Sequence, residues 1–503
     1  MSNLLHCRQF ILGPRFVDVA PGWAHLEIGP GLKLSAHPEL EVESIAHAEK
    51  SLAAIGPMLD SNTPENTNKD ILTELLNKAD NIDALTRATS PYGGRWILIA
   101  TFGKKRYLFN DPSGLRQAFF TDPGTTEALW VVSQPGLADR LLQLQLDEEA
   151  IAYMDSYSFR LRDEFGWPSS ATIFHGLIHL LPNHLLELDT GTSRRFWPWE
   201  SIEPVSTDDA EEIIARRLTN IIRAAAIRYP LSIGMTAGID SRVVMALAKA
   251  LSSEIDFVTV RQRKMPDDHP DITIPAELCK KHGLDHRIIK PAISMSADFS
   301  KLFKDNVLMA TDIYGPDAEA ILNKLGRKTA AITGSAGEIG QCSYRKLVAP
   351  SQYNGPISAA ELAKAASNEE PYVIKNFQIW LDDAKNRHNI KLMDLFDWEQ
   401  PHGNWLPMTQ IQFDIAWREI ITPYNCRDVL QTFLSVNEED RAKPSFTLQK
   451  RIISRAWPEL LHHPINPHQA VANQNAMSKA KRLIKDRAKK MLCFSLKNTK
   501  NYR

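Results

Sequence analysis

Cysteine is scarce in this chain of 503 residues, which has only five, at positions 7, 279, 342, 426 and 493. None is paired in a CxxC spacing, which excludes a disulfide framework and a cysteine-based zinc site and predicts a reducing compartment. Long apolar runs are missing too: none approaches the ~18 residues a membrane-spanning helix requires. The opening residues, MSNLLHCRQF, lack the basic-then-apolar order of a secretory leader. Net charge is nearly absent, with 59 Lys+Arg against 60 Asp+Glu, so no bulk field draws nucleic acid or a membrane surface. Internal repeats and low-complexity tracts are lacking. Together these absences predict a soluble, cytoplasmic protein with no nucleic-acid partner. What remains is ordinary globular usage, 43% hydrophobic and 24% charged. The length is too great for one core, so two domains or more are expected.

The first ~195 residues read as strands separated by turns. Residues 95–101 (RWILIAT) and 105–110 (KRYLFN) predict a hairpin turning at Gly103, and residues 117–121 resume an extended pattern after Asp111-Pro112-Ser113-Gly114. Residues 172–180 and 184–189 read as a further strand pair about Pro182-Asn183. The polar stretch 60–70 reads as a loop, and 197–207, with two prolines and no apolar period, as a linker. From residue 208 the texture changes. A helix is predicted over 209–228, with Ile213, Ile214, Leu218, Ile221 and Ile222 at helical spacing. Strands at 231–235, 256–260 and 286–289 then alternate with helices at 241–250 and 274–282, the pattern of a parallel α/β sheet. Helices dominate after residue 355. The predicted division is 1–197, 208–475 and a basic tail from 476 to 503, where ten Lys or Arg between 479 and 503 face one acid, Asp486. A partial apolar stripe in that tail (Leu483, Ile484, Met491, Leu492, Phe494) would suit an anionic partner or membrane surface; a solvated tail is the plainer reading.

Residues 231–246, LSIGMTAGIDSRVVMA, carry the chemistry. A buried strand runs through small residues at 236–238 directly into a helix. Small residues let backbone N–H groups approach a ligand, and the helix aims its positive end at the same point, which makes an anion site suited to phosphate. A tight turn capped by Asp240 or Ser241 accounts for the same residues without a ligand.

Here the chain resembles the asparagine synthetase family. The loop resembles its SGGxDS pyrophosphate loop, with Thr236 and Ala237 in place of Ser and the first Gly, and Gly238, Asp240 and Ser241 matching. Gly94-Arg95-Trp96, the 110–116 stretch NDPSGLR and residues 172–184 resemble strands of a class II glutamine amidotransferase domain. Phe196-Trp197, residues 276–286 and Pro423-Tyr424 resemble later family segments. The implied fold is an N-terminal Ntn-type α+β sandwich followed by an α/β ATP-pyrophosphatase domain with a helical C-terminal part. The resemblance implies that ATP is used with Mg2+ to adenylate a carboxylate, which an amine or ammonia then captures. It implies that Met235, Thr236, Ala237, Gly238, Asp240, Ser241, Val260 and Gly334 surround the nucleotide and that Asp240 and Glu338 hold the metal. A homodimer is compatible with it.

Two departures stand out. Glutamine-hydrolysing relatives carry Cys at position 2 as nucleophile; this chain has Ser2, and Cys7 is internal. The glutamine-holding RGP and NGE segments are also missing, so glutamine hydrolysis is not expected. In residues 333–339 (TGSAGEI), followed by Tyr344, Glu338 takes the position of the first metal acid and Ile339 replaces the second. A helix-capping Glu338 is the alternative.

Other residues stay open between chemistry and structure. Asp267, Asp268, His269 and Asp271 form an acidic loop, metal-binding or merely solvated. Glu399, among Trp398, Gln400, His402, Gly403, Asn404 and Trp405, is a candidate base for the amine, as in lactam-forming relatives, or a neighbour of a buried Trp pair. Lys479 and Lys481 are the candidates for a lysine near the α-phosphate. Three functions follow: an amide ligase acting on a small-molecule or peptide carboxylate and an amine, a peptide or lactam cyclase, and a nucleotide-binding scaffold.

Overall fold

A computed structural model describes residues 2–29, 31–160, 166–262 and 265–467. The expected basic tail, with Lys479, Lys481 and its apolar stripe, lies outside the described residues.

Two six-stranded antiparallel sheets make the N-terminal part. The first runs in the order Leu177–His179, Phe119–Thr121, Val131–Val132, Phe10–Gly13, Leu32–Ala36, Ala24–Gly29. The second runs Thr192–Arg195, His184–Glu187, Lys105–Asn110, Ile97–Phe102, Lys50–Ile55, Val42–His47. The predicted hairpin is present, Ile97–Phe102 pairing with Lys105–Asn110 around Gly103. Its continuous apolar run has a packing reason. Ile97 and Ile99 join the core between the two sheets, while Leu98 and Ala100 face the opposite way into a larger core with Ile71, Leu72 and Leu75 of the helix Asn68–Lys78. Both faces of this hairpin are buried, so its strands do not alternate with polar residues; the edge strands Val42–His47 and Thr192–Arg195 are partly exposed and carry them.

The second predicted pair is corrected. Leu177–His179 pairs with Phe119–Thr121 and His184–Glu187 pairs with Lys105–Asn110, so the chain crosses from one sheet to the other at Pro182-Asn183 instead of folding back. The stretch 197–206 forms no strand or helix, and Trp197 and Ile202 anchor it in the large core, which continues without a break into the C-terminal part.

There, five parallel strands run in the order His286–Ile289, Asp256–Val260, Leu231–Gly234, Ala330–Ile332, Ile420–Ile421. Numbered along the chain, the order is 3-2-1-4-5, so successive connections wind outward in opposite directions from Leu231–Gly234 and Ala330–Ile332. Helices Thr207–Arg228, Ile239–Leu247, Pro270–Lys281 and Gly315–Leu325 belong to this part, and shorter helices dominate after residue 350. Among the described residues no helix is long and apolar enough to cross a membrane.

A buried charge network joins the two parts. Arg8, Arg95 and Arg116 of the sandwich meet Asp414 and Glu419 beside the parallel sheet: Arg8–Asp414 is 2.6 Å, Arg95–Asp414 2.5 Å and Arg116–Glu419 3.0 Å. All five side chains are almost wholly removed from solvent. The surplus cation is satisfied by main-chain oxygens, Arg8 donating to Trp417 O at 2.7 Å and Arg95 to Leu115 O at 2.9 Å. Burial would raise the Asp414 carboxyl, and the three guanidinium groups overcome that and hold it below its ordinary range.

Removing one member strands its partners in a dry site, so Asp414→Ala is expected to destabilise the protein by about 3–5 kcal/mol, measured by denaturant unfolding. Because the folded-state carboxyl is depressed, the stability it gives is present above the unfolded value of about 4 and is lost as pH falls below it. Wild-type stability should therefore fall more steeply in acid than that of the variant; parallel acid profiles would overturn this account.

Candidate nucleotide-binding cleft

Winding in opposite directions leaves a crevice at the carboxyl ends of Leu231–Gly234 and Ala330–Ile332, where open α/β sheets take their ligands. A cleft of about 580 Å³ lies there, within the range of about 300–1,000 Å³ typical of ligand sites. Its walls are the loop 235–241 from the first strand and the loop 333–338 from the second. Gly334 packs against the start of the helix Ile239–Leu247: a Cβ there would lie 2.7 Å from Ser241 N and 2.9 Å from Asp240 Cβ. Gly337 comes as close to Asp240, where a Cβ would meet Oδ1 at 2.5 Å. Small residues at 334 and 337 thus let the two loops touch.

Met235, Thr236, Gly238, Asp240, Ser241, Val260, Gly334 and Glu338 all line the cleft. Ala237 does not: its side chain is buried and its N–H is donated to Asp271 Oδ1 at 2.8 Å. Most of the loop is satisfied internally, with Gly238 N–H donating to Thr236 Oγ1 at 3.1 Å and Thr236 N–H to Ser241 Oγ at 3.3 Å. Neither Asp240 nor Ser241 caps the following helix, whose N-cap Gly238 supplies no side-chain bond. Its N-terminal end therefore faces the cleft without a side-chain cap, and the acid of its first turn is Asp240 itself.

Asp240 and Glu338 share one electrostatic site. Asp240, partly buried, accepts from Gln341 Nε2 at 2.6 Å. Burial and the Glu338 charge push its carboxyl up to about 7. Glu338, half exposed, is held down to about 2 by the imidazolium of His402, 3.5 Å away. Lys443 Nζ stands 4.0 Å from its other oxygen. Burial alone would discharge His402, but Asp397 and Glu338 outweigh it and raise the imidazole to about 10. The cleft is lined by the acids Asp240, Asp271, Asp317 and Glu338 against Lys443 and His402, so a polyphosphate would need added cations to enter. Two carboxylates that repel each other across such a cleft suit a hard divalent cation, with phosphate and water oxygens completing its shell. Among the described residues no three His, Cys, Asp or Glu gather as a self-sufficient metal site.

Glu399 is not brought to the cleft. Its carboxylate is fully buried, taking Arg195 Nη2 at 2.8 Å, Asn183 Nδ2 at 2.9 Å and Trp380 Nε1 at 2.8 Å, which leaves no oxygen for a substrate proton. Of the acidic loop, Asp267 is exposed and paired with Arg261 and Lys290, while Asp271 braces the loop. Sequence reasoning missed His402 and Lys443 as cleft residues. The signal for His402 lies in Pro401 and Pro407, which break the helical bonding so that residues 401–405 form a π-helical turn that points His402 inward. Arg242, just inside the helix after the loop and buried, donates to His463 O at 2.7 Å and Pro464 O at 2.9 Å and binds that segment over the loop. Asn466 N–H then donates to Ala237 O at 3.0 Å.

At the amino end the first strand begins at Phe10, eight residues beyond Ser2. Cys7 is fully buried beside Arg327 and donates to Asp414 O at 3.4 Å. Burial pushes its thiol up to about 11, far from a reactive thiolate.

No protein-family model matches the chain, and no curated protein matches it. Solved structures give remote matches. The allosteric regulatory enzyme of purine biosynthesis aligns at 11% identity and a TM-score of 0.24, over 61% of this chain and 75% of that one. Glutamine phosphoribosylpyrophosphate amidotransferase from B. subtilis aligns at 10% and 0.22, over 75% and 88%. NH3-dependent NAD synthetase from Campylobacter jejuni aligns at 15% and 0.21, over 39% and 92%. At such scores these likenesses define neither the fold nor the activity of this chain.

The raised Asp240 carboxyl has a consequence for stability. A folded-state value above the unfolded one means that stability is full below about pH 4 and lost as pH rises through 7. Asp240→Asn keeps the acceptor for Gln341 and removes the charge, so the ligand-free variant should be more stable than wild type at pH 8.5 by about 1–2 kcal/mol. The gap should close toward pH 5; melting curves at the two pH values decide it.

Proposed function

We propose that this chain is an ATP-dependent ligase that activates a carboxylate as its adenylate and passes the acyl group to an amine. The observation that carries the reading is the crevice at the sheet's switch point, where an uncapped helix N-terminus and the hydroxyls of Thr236 and Ser241 meet the carboxylates of Asp240 and Glu338. Phosphate oxygens would lie against the first turn of Ile239–Leu247, with Met235 and Val260 toward the nucleoside. Mg2+, when bound, would neutralise the phosphate oxygens and the departing pyrophosphate. Asp240 and Glu338 would hold it, and the raised Asp240 carboxyl would lose its proton as the cation arrives. His402 and Lys443, released from Glu338 by the same event, would face the phosphates. The substrate carboxylate attacks the α-phosphorus and pyrophosphate leaves; the amine then attacks the acyl carbon and AMP leaves. Glu399, its oxygens already taken, is left out of this scheme. The buried Cys7, its thiol pushed well away from a reactive thiolate, supports an N-terminal sandwich that is structural and does not hydrolyse glutamine.

The test is Mg–ATP binding by calorimetry, followed by pyrophosphate release with a panel of carboxylates and amines. Asp240→Ala should weaken Mg–ATP binding at least about tenfold, a loss of roughly 1.4 kcal/mol or more, and abolish pyrophosphate release. Glu338→Gln should shift the magnesium midpoint upward and recover partly at high magnesium, as mass action on a weakened site requires. Identical magnesium curves for the two proteins would remove Glu338 from the metal site; retained ATP affinity in Asp240→Ala would overturn the nucleotide reading itself.

A further inference from the structure

Residues 460–466 run over the loop 235–241, and what holds them there falls on main-chain atoms. Arg242, fully buried in the helix Ile239–Leu247, donates to three carbonyls of this segment: Leu460 O at 3.3 Å, His463 O at 2.7 Å and Pro464 O at 2.9 Å. A guanidinium out of water is costly unless its protons are taken, and here the oxygens of one short segment take them. Leu460 is itself in the core, and His463 Nδ1 stands 3.4 Å from Glu277 Oε2 on the helix Pro270–Lys281. Held at these points, the segment brings Asn466 to the loop, where its N–H donates to Ala237 O at 3.0 Å. Asn466 has a left-handed backbone, φ +49°, a conformation that asparagine and glycine adopt more readily than other residues.

A trans peptide is planar, so its carbonyl and its N–H point in opposite directions. Fixing Ala237 O on Asn466 therefore fixes the direction of Gly238 N–H, which donates to Thr236 Oγ1 at 3.1 Å. The preceding peptide is fixed in the same way, because Asp271 Oδ1 takes Ala237 N–H at 2.8 Å. Two successive peptides at the entry to the helix are thus set by groups remote in sequence.

We propose that Arg242 and Asn466 are positioning residues of the phosphate loop: Arg242 clamps the segment 460–466, and Asn466, through its main-chain N–H, sets the peptide between Ala237 and Gly238 in the form that a polyphosphate requires. The role of Asn466 lies in that N–H and not in the side chain, which lines the cleft. Docking of the segment and binding of the phosphates are then linked. A docked segment lowers the ordering cost of binding, and bound polyphosphate favours the docked segment to the same extent. The proposal rests on the reading of this loop as the phosphate site.

The test titrates Mg–ATP into the full chain by calorimetry and follows amide hydrogen exchange across 460–466 with and without it. In the wild type, Mg–ATP should slow that exchange at least about tenfold. Asn466→Gly keeps the N–H and the left-handed backbone while deleting the side chain, and should bind Mg–ATP within about twofold of wild type. Asn466→Pro removes the N–H and the backbone conformation, and should bind at least about tenfold more weakly, with no protection of the segment and an unchanged melting temperature. Arg242→Met removes three donated bonds and should weaken binding in the same direction; the Asn466 pair decides the matter if that variant does not fold. Failure of the wild type to bind Mg–ATP would overturn the nucleotide reading and this proposal with it. Binding by the wild type with equal affinity in Asn466→Pro, or a loss in Asn466→Gly as large as in Asn466→Pro, would overturn this proposal alone.

Discussion

The contact on which the molecule depends is the buried meeting of Arg8, Arg95 and Arg116 with Asp414 and Glu419. Charges are expensive to desolvate, and each is tolerated only because the others are present in good geometry. Arg8 precedes the first strand, Arg95 and Arg116 flank the central hairpin of the second sheet, and Glu419 immediately precedes the edge strand Ile420–Ile421. The network therefore fixes the sandwich against the sheet that carries the cleft. In the folded protein the buried Asp414 and Glu419 find their counter-charges in three guanidinium groups of the sandwich.

Much of the local structure was legible in the sequence because it follows from period and punctuation. The strands and helices between 207 and 289 alternate as their apolar spacing predicts, and the small residues 236–238 do sit between a strand and a helix. Misreadings arose where a local signal has two tertiary outcomes. Pro182-Asn183 reads as a hairpin turn, yet the same dipeptide serves a chain crossing between sheets. The proline-bearing stretch 197–206 is the irregular segment its composition predicts, and nothing in that composition discloses that Trp197 and Ile202 anchor it in the core.

Site residues divide along the same line. Those on the strand–loop–helix, such as Thr236, Gly238, Asp240 and Ser241, announce themselves by position. Glu399 looked like a free acid because nothing near it in sequence discloses Arg195 or Asn183, its actual partners. His402 and Lys443 arrive at Glu338 from separate segments, the π-helical turn and the turn after Glu438–Arg441, 64 and 105 residues downstream, a distance over which one sequence carries no pairing information.

The π-helical turn 401–405 ties two cavities together. His402 lines the cleft at the switch point, Gln400 and Pro401 line a neighbouring pocket, and Trp405 lines both. A substitution that reshapes these five residues therefore alters two separate surfaces at once.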